Sequence, residues 1–435
     1  EYTDGRIVFR GSDAIGRQFT SNSDGSYTAS PGDYGVLTRD GSGTFQLREK
    51  DGFLYRFYAS LDLNYVEDRN GNRVTRIYDK ENHQLRLKHS SGPEFTIDFG
   101  SEGMFTKLTD HVGRVTKFVT NPNQRPAMLP AGTVGTHEYL RPRTVLTQVV
   151  DPSGATTKYE YIRFKDEFGI YGNNYKLSAI SHPDGTWKHY IYDENFRIVK
   201  ETGYWGANPI EYTYLDDTTT RITDAVGAKI TVKLNENGQA TSIVDPDVGT
   251  THFEYDSEGN LIRELNPLSH SRQFSYDENG NLSSYADALG EETFATHEPD
   301  FHQPTSIKDA LGRETKLFYN EKGNLVRAAF PDGEEVGFDF DSKGNIRSTT
   351  DEDGNTTRFL YNSQGLLTTI TNPVDQQVQF DYNTTGSLKK FTNENGIALN
   401  FTRDMKERVT RTTFPDGAYS DSEYDAMGRI SSFTN

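Results

Sequence analysis

The chain contains no cysteine. That excludes disulfides, thiolate metal sites and cysteine nucleophiles, and it is compatible with export without proving it. Long apolar runs are also missing: none approaches the roughly 18–20 residues needed to span a bilayer. The opening residues, Glu1 to Gly11, lack the basic and apolar regions of a signal peptide. Positive charge is in short supply, with 46 Lys and Arg against 64 Asp and Glu, a formal net charge of −18. Such a surface repels phosphate backbones and anionic membranes, so no nucleic-acid partner is expected. The catalytic spacings HExxH, GxGxxG, the Walker loop and a Ser-His-Asp order do not occur. Histidines such as His182, His189, His252, His270, His297 and His302 are scattered without metal-ligand spacing, so no metal, cofactor or enzymatic activity is expected.

Aromatic residues and glycine are abundant. Only 33% of the residues are hydrophobic, yet 25 Tyr, 26 Phe and 39 Gly are present. A disordered chain would be poor in aromatics. The combination fits thin β-layers with one aromatic face, one polar face and many turns. A length of 435 residues calls for several domains or for an array that grows in one dimension.

A repeat decides between these. Tyr255-Asp256 recurs as Tyr276-Asp277, Tyr319-Asn320, Phe340-Asp341, Tyr361-Asn362, Tyr382-Asn383 and Tyr424-Asp425, with Leu234, His297 and Arg403 filling the remaining steps. The ten anchors stand 21 residues apart, except for 22 between His297 and Tyr319. Glycine follows four positions after the anchor in eight of the ten units, and a larger aliphatic residue six positions after it, as in Leu261, Leu282 and Leu367. A second turn signal falls mid-unit, as in Asp309-Ala310-Leu311-Gly312 and Pro331-Asp332-Gly333. Each unit therefore reads as one β-hairpin with two turns. Asp or Asn starts a turn by bonding the backbone two residues on, and Gly supplies the positive φ. One hairpin is marginal alone, so stability must come from stacked neighbours. Two strands per unit give roughly 40 strands and a strip of roughly 200 Å, which must twist and coil into a spiral wall. A β-propeller needs units about twice as long.

The motif Tyr-Asp-x-x-Gly-Asn-Leu at 255–261 and again at 276–282 resembles the YD repeat of the YD/RHS family. That family includes bacterial RHS polymorphic toxins, insecticidal toxin-complex subunits, wall-associated proteins and teneurins. The resemblance implies an all-β shell of tandem antiparallel hairpins that is secreted or displayed on the bacterial surface. It further implies a structural role: encapsulating a toxin domain, or forming a scaffold that meets a surface glycan or receptor.

The organisation expected from sequence has three parts. Residues 1–65 alternate without the YD phase and resemble the β-rich segment that caps the first strand. Residues 66–233 carry looser repeats interrupted at 121–147 and 163–177, and residues 234–435 form the regular array. The chain starts and stops mid-pattern, so a piece of a longer protein is expected.

Candidate sites follow from departures from the pattern. The phased anchors Tyr255, Tyr276, Tyr319, Phe340, Tyr361, Tyr382 and Tyr424 are expected on the packed side of the wall. Asp351-Glu352-Asp353-Gly354 lacks the spaced ligands of a calcium loop. Asp151-Pro152-Ser153-Gly154 resembles the stretch at which RHS core domains cleave themselves, but Ala155 replaces the large apolar residue and repeats continue after it, so it reads as a turn. The irregular middle offers His137, Tyr139, Arg141 and Arg143, then Tyr171 and Tyr175, then Trp187 and Trp205. Guanidinium to carboxylate and indole to sugar face could grip a glycan there, or even support β-elimination on a uronate. The competing reading is a proline-rich loop tethered to the wall, with the tryptophans as packing.

Overall fold

A computed structural model describes residues 6–10, 16–100, 103–121, 145–165, 171–203 and 206–435. Within them lie 39 strands, from β1 (Ile7–Arg10) to β39 (Ile430–Thr434). β1, β2 (Gly16–Ser21) and β3 (Tyr27–Ala29) make a small antiparallel sheet of their own. Everything from β4 (Val36–Arg39) to β39 is one antiparallel sheet in which each strand pairs with its sequence neighbours, and no ladder joins β39 back to β4. The segment 1–65 is thus divided: its first strands form the separate sheet, and its later ones already belong to the wall.

The turns explain why the strip forms. In the turn after Tyr255, Asp256 N–H donates to the Asn260 carbonyl at 3.0 Å and Gly259 N–H to the Asp256 carbonyl at 3.2 Å. Asp256 Oδ1 accepts from Glu258 N–H and Asn260 N–H, and its Oδ2 accepts from Asn260 Nδ2 at 3.0 Å. One carboxylate therefore occupies three donors, and the glycine takes φ +86°. The same bonding recurs at Asp277, Asp341 and Asp351, so the Asp351 carboxylate is used up by its own turn.

From Leu234 onward each hairpin also contains a bulge just past the YD turn. Tyr255 pairs with Leu261 but Glu254 pairs with Arg263, leaving Ile262 extra. Ser283, Val326, Arg347 and Thr368 hold the same place in later units. A bulge bends and twists its strand, and repeated at one edge of every hairpin it coils the strip. It also resets the alternation: Leu282 and Tyr285, or Leu388 and Phe391, share a face although they stand three residues apart.

That face carries the aromatics. Phe253, Phe274, Phe359 and Phe380 stand two residues before their anchors and on the same side. Phe274 faces Tyr285 with ring centroids 5.4 Å apart, and Phe380 faces Phe391 at 5.6 Å. In strands such as Glu314–Tyr319 and Gln377–Tyr382 the anchor side is half-buried and the alternate residues are exposed. Side chains converge inside a curved sheet and spread outside it, so the less accessible, aromatic face is the inner one.

Among the described residues a two-layer core exists only at the start. The small sheet lies on the aromatic side of the first wall strands, enclosing Ile7, Phe19, Leu37, Phe45 and Leu47. Phe9 meets Tyr55 and Phe57 edge-on at 5.7 and 5.4 Å. Arg17 is forked between Asp33, 2.6 Å away, and Glu49, both of which raise its pKa above the ordinary value against the opposing effect of burial. Beyond this cap, Ala179 and Ala328 are the only apolar residues enclosed among those described.

Candidate functional site: the seam between windings and the aromatic face

The strip winds past a full turn and meets itself edge to edge. Asn324 Nδ2 donates to Asn70 Oδ1 at 2.8 Å, and Asn72 Nδ2 to the Lys343 carbonyl at 2.8 Å. Asn260 Nδ2 reaches the Tyr34 hydroxyl at 3.1 Å. Arg114 pairs with Glu407 at 3.1 Å, Lys406 with Asp151 at 2.7 Å and Arg429 with Asp184 at 3.3 Å. These partners are 226 to 293 residues apart in sequence. The turn at 68–72 faces the turn at 320–324, which lies 21 strands further along. At about 4.8 Å per strand, one winding is roughly 100 Å around and roughly 32 Å across. The strip of 36 strands, roughly 170 Å long, makes about 1.7 windings.

The two edges differ. The second winding brings its Tyr-Asp turns to the seam, from 256–260 to 425–429. The first winding brings its mid-unit turns, including 49–53, 68–72, 110–114, 151–155 and 182–186. Asp151-Pro152-Ser153-Gly154 is accordingly a seam turn. Asp151 Oδ1 accepts from Ser153 and Ala155 N–H, and its Oδ2 holds Lys406.

Close approach gives the YD glycines a second role. A Cβ on Gly280 (φ +66°) would lie 2.1 Å from the Tyr34 ring, and one on Gly344 would meet Asn70 at 2.4 Å. The unit of 22 residues uses its extra residue here: Phe301 lies between Gly52 of the first winding and Gly323 of the second, 2.6 and 2.7 Å from where their Cβ atoms would be. Asn281 and Asn324, in YD turns at the seam, are among the few enclosed polar residues.

Two exceptions to the repeat make contacts of their own. At Tyr255, Tyr276, Tyr319, Tyr382 and Tyr424 the hydroxyl donates to the carbonyl of the residue before the preceding bulge, as Tyr276 to Leu261 at 2.9 Å and Tyr382 to Leu367 at 2.7 Å. Arg403, standing where Tyr is expected, does the same through Nε to Leu388 at 3.0 Å. Glu407, standing where Gly is expected, accepts φ +65° and grips Arg114. Burial works against its charge, but hydrogen bonds from Asn383, Ser387 and Thr385 and the charge of Arg114 hold its carboxyl below the ordinary range. His297 fills another anchor. Burial pushes its imidazole below the usual histidine range, and Nδ1 is enclosed with no partner among the described residues.

The Tyr anchors are half-buried on the aromatic face of the wall. Of the glycan-site candidates, His137, Tyr139, Arg141, Arg143 and Trp205 lie outside the described residues. Tyr171 opens β15 (Tyr171–Ser181), which pairs with β14 (Thr156–Lys165) as a lengthened hairpin. Tyr175 shares the face of Tyr161, whereas Trp187 pairs with Ser181 on the opposite, outer face and stacks on His189 at 4.0 Å. The wall thickness separates them. The links from β12 (Val115–Asn121) to β13 (Val145–Val150) and from β14 to β15 fall at one edge of the strip, and that from β17 (Ile198–Thr202) to β18 (Ile210–Tyr214) at the other. Sequence reasoning missed a polar trio on the inner face. Glu201 takes hydrogen bonds from Lys188 and Tyr212, and that bond pushes the Tyr212 hydroxyl up to about 12. Among the described residues no cluster of His, Asp or Glu is arranged for a metal ion, and no helix is long and apolar enough to cross a membrane.

A single-layer hairpin strip coiled on a Tyr-Asp edge defines a class: the YD shell. The teneurin YD-shell family model matches residues 251–406. The chain is 23% identical over 322 residues to a protein named probable deoxyribonuclease RhsB of Dickeya dadantii (strain 3937), covering 73% of this chain and 20% of that protein. Its fold matches the crystal structure of TcdB2-TccC3-TEV with a TM-score of 0.59 at 11% identity, over 98% of this chain and 26% of that one. In its Tyr-Asp repeats and in its fold the chain is similar to the YD/RHS-repeat family. It spans about a fifth of the length of the curated relative and about a quarter of the solved chain.

Proposed function

We propose that this chain is a wall segment of a hollow secreted or surface-displayed shell, holding a toxin polypeptide against its aromatic inner face and catalysing nothing itself. One observation carries the proposal. The strip closes more than one winding through its edges, while beyond the cap no second layer covers the aromatic face among the described residues. A face of half-buried Phe and Tyr suits a chain that is not fully folded, because it offers apolar contact without a shaped pocket. The RhsB name describes a nuclease, but this chain matches a fifth of that protein, and a net charge of −18 opposes binding DNA.

The test fuses an unfolded reporter after Asn435 and measures its digestion by trypsin. Protection that is lost when Arg114, Lys406 and Arg429 are changed together to Ala supports the reading. Digestion at the rate of free reporter sinks it. Cleavage of DNA or of an acidic polysaccharide by the purified chain would overturn the non-enzymatic part.

A further inference from the structure

The cap and the seam meet in one place. Residues 30–35 connect β3 to β4, and they touch the second winding as the seam turns do. Gly32 N–H donates to Glu258 Oε2 at 3.3 Å, and a Cβ on Gly32 would lie 2.3 Å from the Glu258 carbonyl oxygen. Tyr34 accepts from Asn260 and lies against Gly280. The next part of the first winding at the seam is the turn 49–53. It seats Gly52 against Phe301 and places Lys50 Nζ 4.7 Å from the centroid of the Tyr34 ring.

One cap residue holds both segments. Arg17 of β2 donates from Nε and Nη2 to Asp33 at 2.7 and 2.6 Å, and from Nη1 and Nη2 to Glu49. Asp33 stands between Gly32 and Tyr34 and also accepts from Gly35 N–H at 3.0 Å. Glu49 opens the turn that carries Lys50 and Gly52. In the later turns of this edge the first carboxylate serves its own turn: Asp68, Asp110 and Asp151 each accept from two N–H groups there. At 49–53 the Phe53 N–H goes to Asp51 instead, and Glu49 is turned to Arg17. The guanidinium is placed by the cap core, 5.8 and 5.7 Å from the Phe9 and Phe19 ring centroids.

We propose that Arg17 links docking of the cap to closure of this stretch of the seam, so that lifting the cap releases the second winding at 258–301. Without Arg17, two partly enclosed carboxylates lose their cation, and both stand beside the residues that touch the second winding. The link is reciprocal: whatever loosens the seam here loosens the cap by the same factor. Farther along, Asn70–Asn324, Lys406–Asp151 and Arg429–Asp184 hold the windings without any cap residue, so the opening is local. Arg17 is thus a positioning residue for the seam, although it lies in the other sheet.

Hydrogen exchange of the intact chain, read by mass spectrometry, tests the link. Arg17→Ala should speed exchange in 30–35, 256–260 and 277–281 at least about tenfold, the factor carried by one charged hydrogen bond. Exchange in 404–408 and 425–429 should not change. Arg17→Lys keeps the charge but loses the fork, and should fall between. The reverse arm changes Glu258 and Asn260 together to Ala, side chains that bond the first winding at Gly32 and Tyr34. It should speed exchange in β2, and it decides the matter even if Arg17→Ala does not fold. Acceleration confined to the cap in Arg17→Ala overturns the proposal, as does a cap indifferent to the Glu258 and Asn260 changes. Either result leaves the shell reading standing, since that reading does not require the cap to be linked to the seam.

Discussion

In the cap, β1–β3 lie across the first wall strands, and Phe19 and Leu47 are fully enclosed. From Lys229 onward the same hairpin chemistry continues for ten units, and no apolar side chain larger than Ala328 is enclosed among the described residues. The cap is stabilised as a sandwich, by area removed from water. The wall is stabilised by its ladders, its turn carboxylates, Tyr hydroxyls bonded to the previous unit, and a seam made mostly of polar groups. Its stability is therefore spread thinly along the strip, as in other repeat arrays.

The comparison breaks most directly through truncation. Leu47→Ala should cost about 3–5 kcal/mol, the range for an enclosed leucine. Phe359→Ala, on the half-open inner face, should cost about half that despite the larger side chain. Urea midpoints check both, and equal costs would mean that the wall buries its aromatics as fully as the cap does.

Glycine substitutions separate wall from seam. Gly354→Ala, at φ +81° in open space, should cost about 1–2 kcal/mol of backbone strain. Gly280→Ala should cost clearly more because its Cβ would overlap the Tyr34 ring. Adding Tyr34→Ala should bring that excess down, and a thermal-melt double-mutant cycle measures the difference.

Acid should act at the seam next. Asp151 and Glu407 are held below their ordinary ranges against the opposing effect of burial, Asp151 by Lys406 and Ser153, Glu407 by the donors around it. A depressed carboxylate contributes stability that is present above its unfolded pKa and lost as pH falls through its folded one. The melting temperature should therefore hold down to about pH 4.5 and then drop. Arg114→Ala with Lys406→Ala should flatten that drop.

A smaller effect, about 1 kcal/mol, is expected for Tyr382→Phe, which removes one hydroxyl-to-carbonyl bond while keeping the ring. Smallest is Glu407→Gly. It relieves the strained φ but loses the Arg114 pair, so the net change should be near zero at low salt and stabilising in high salt, where the pair is screened. A destabilisation that persists at high salt would show that Glu407 matters for more than its charge.

Much of the wall was legible because its determinants are local. Asp at the second position, Gly at the fifth and Asn at the sixth all act within one turn, and the period of 21 exposes them repeatedly. The bulge was less visible, because strict alternation misses faces whose members stand three apart, as Leu367 and Ile370 do. The choice of Tyr over Phe was a readable signal, since a hydroxyl retained at a packed position needs a partner. Grouping the irregular middle into one site failed for Tyr175 and Trp187 because proximity in sequence does not choose a face.

The sequence by itself determined the hairpin, its turns and the fact of a coiled strip, since each follows from bonds within about 25 residues. Only the tertiary structure decided where the strip meets itself. That depends on the curvature summed over some 21 strands, so a small twist per unit selects whether Asn70 faces Asn324 or some other turn. It is also why Gly280, Phe301 and Glu407 look like minor variations in the chain and turn out to be contacts between windings.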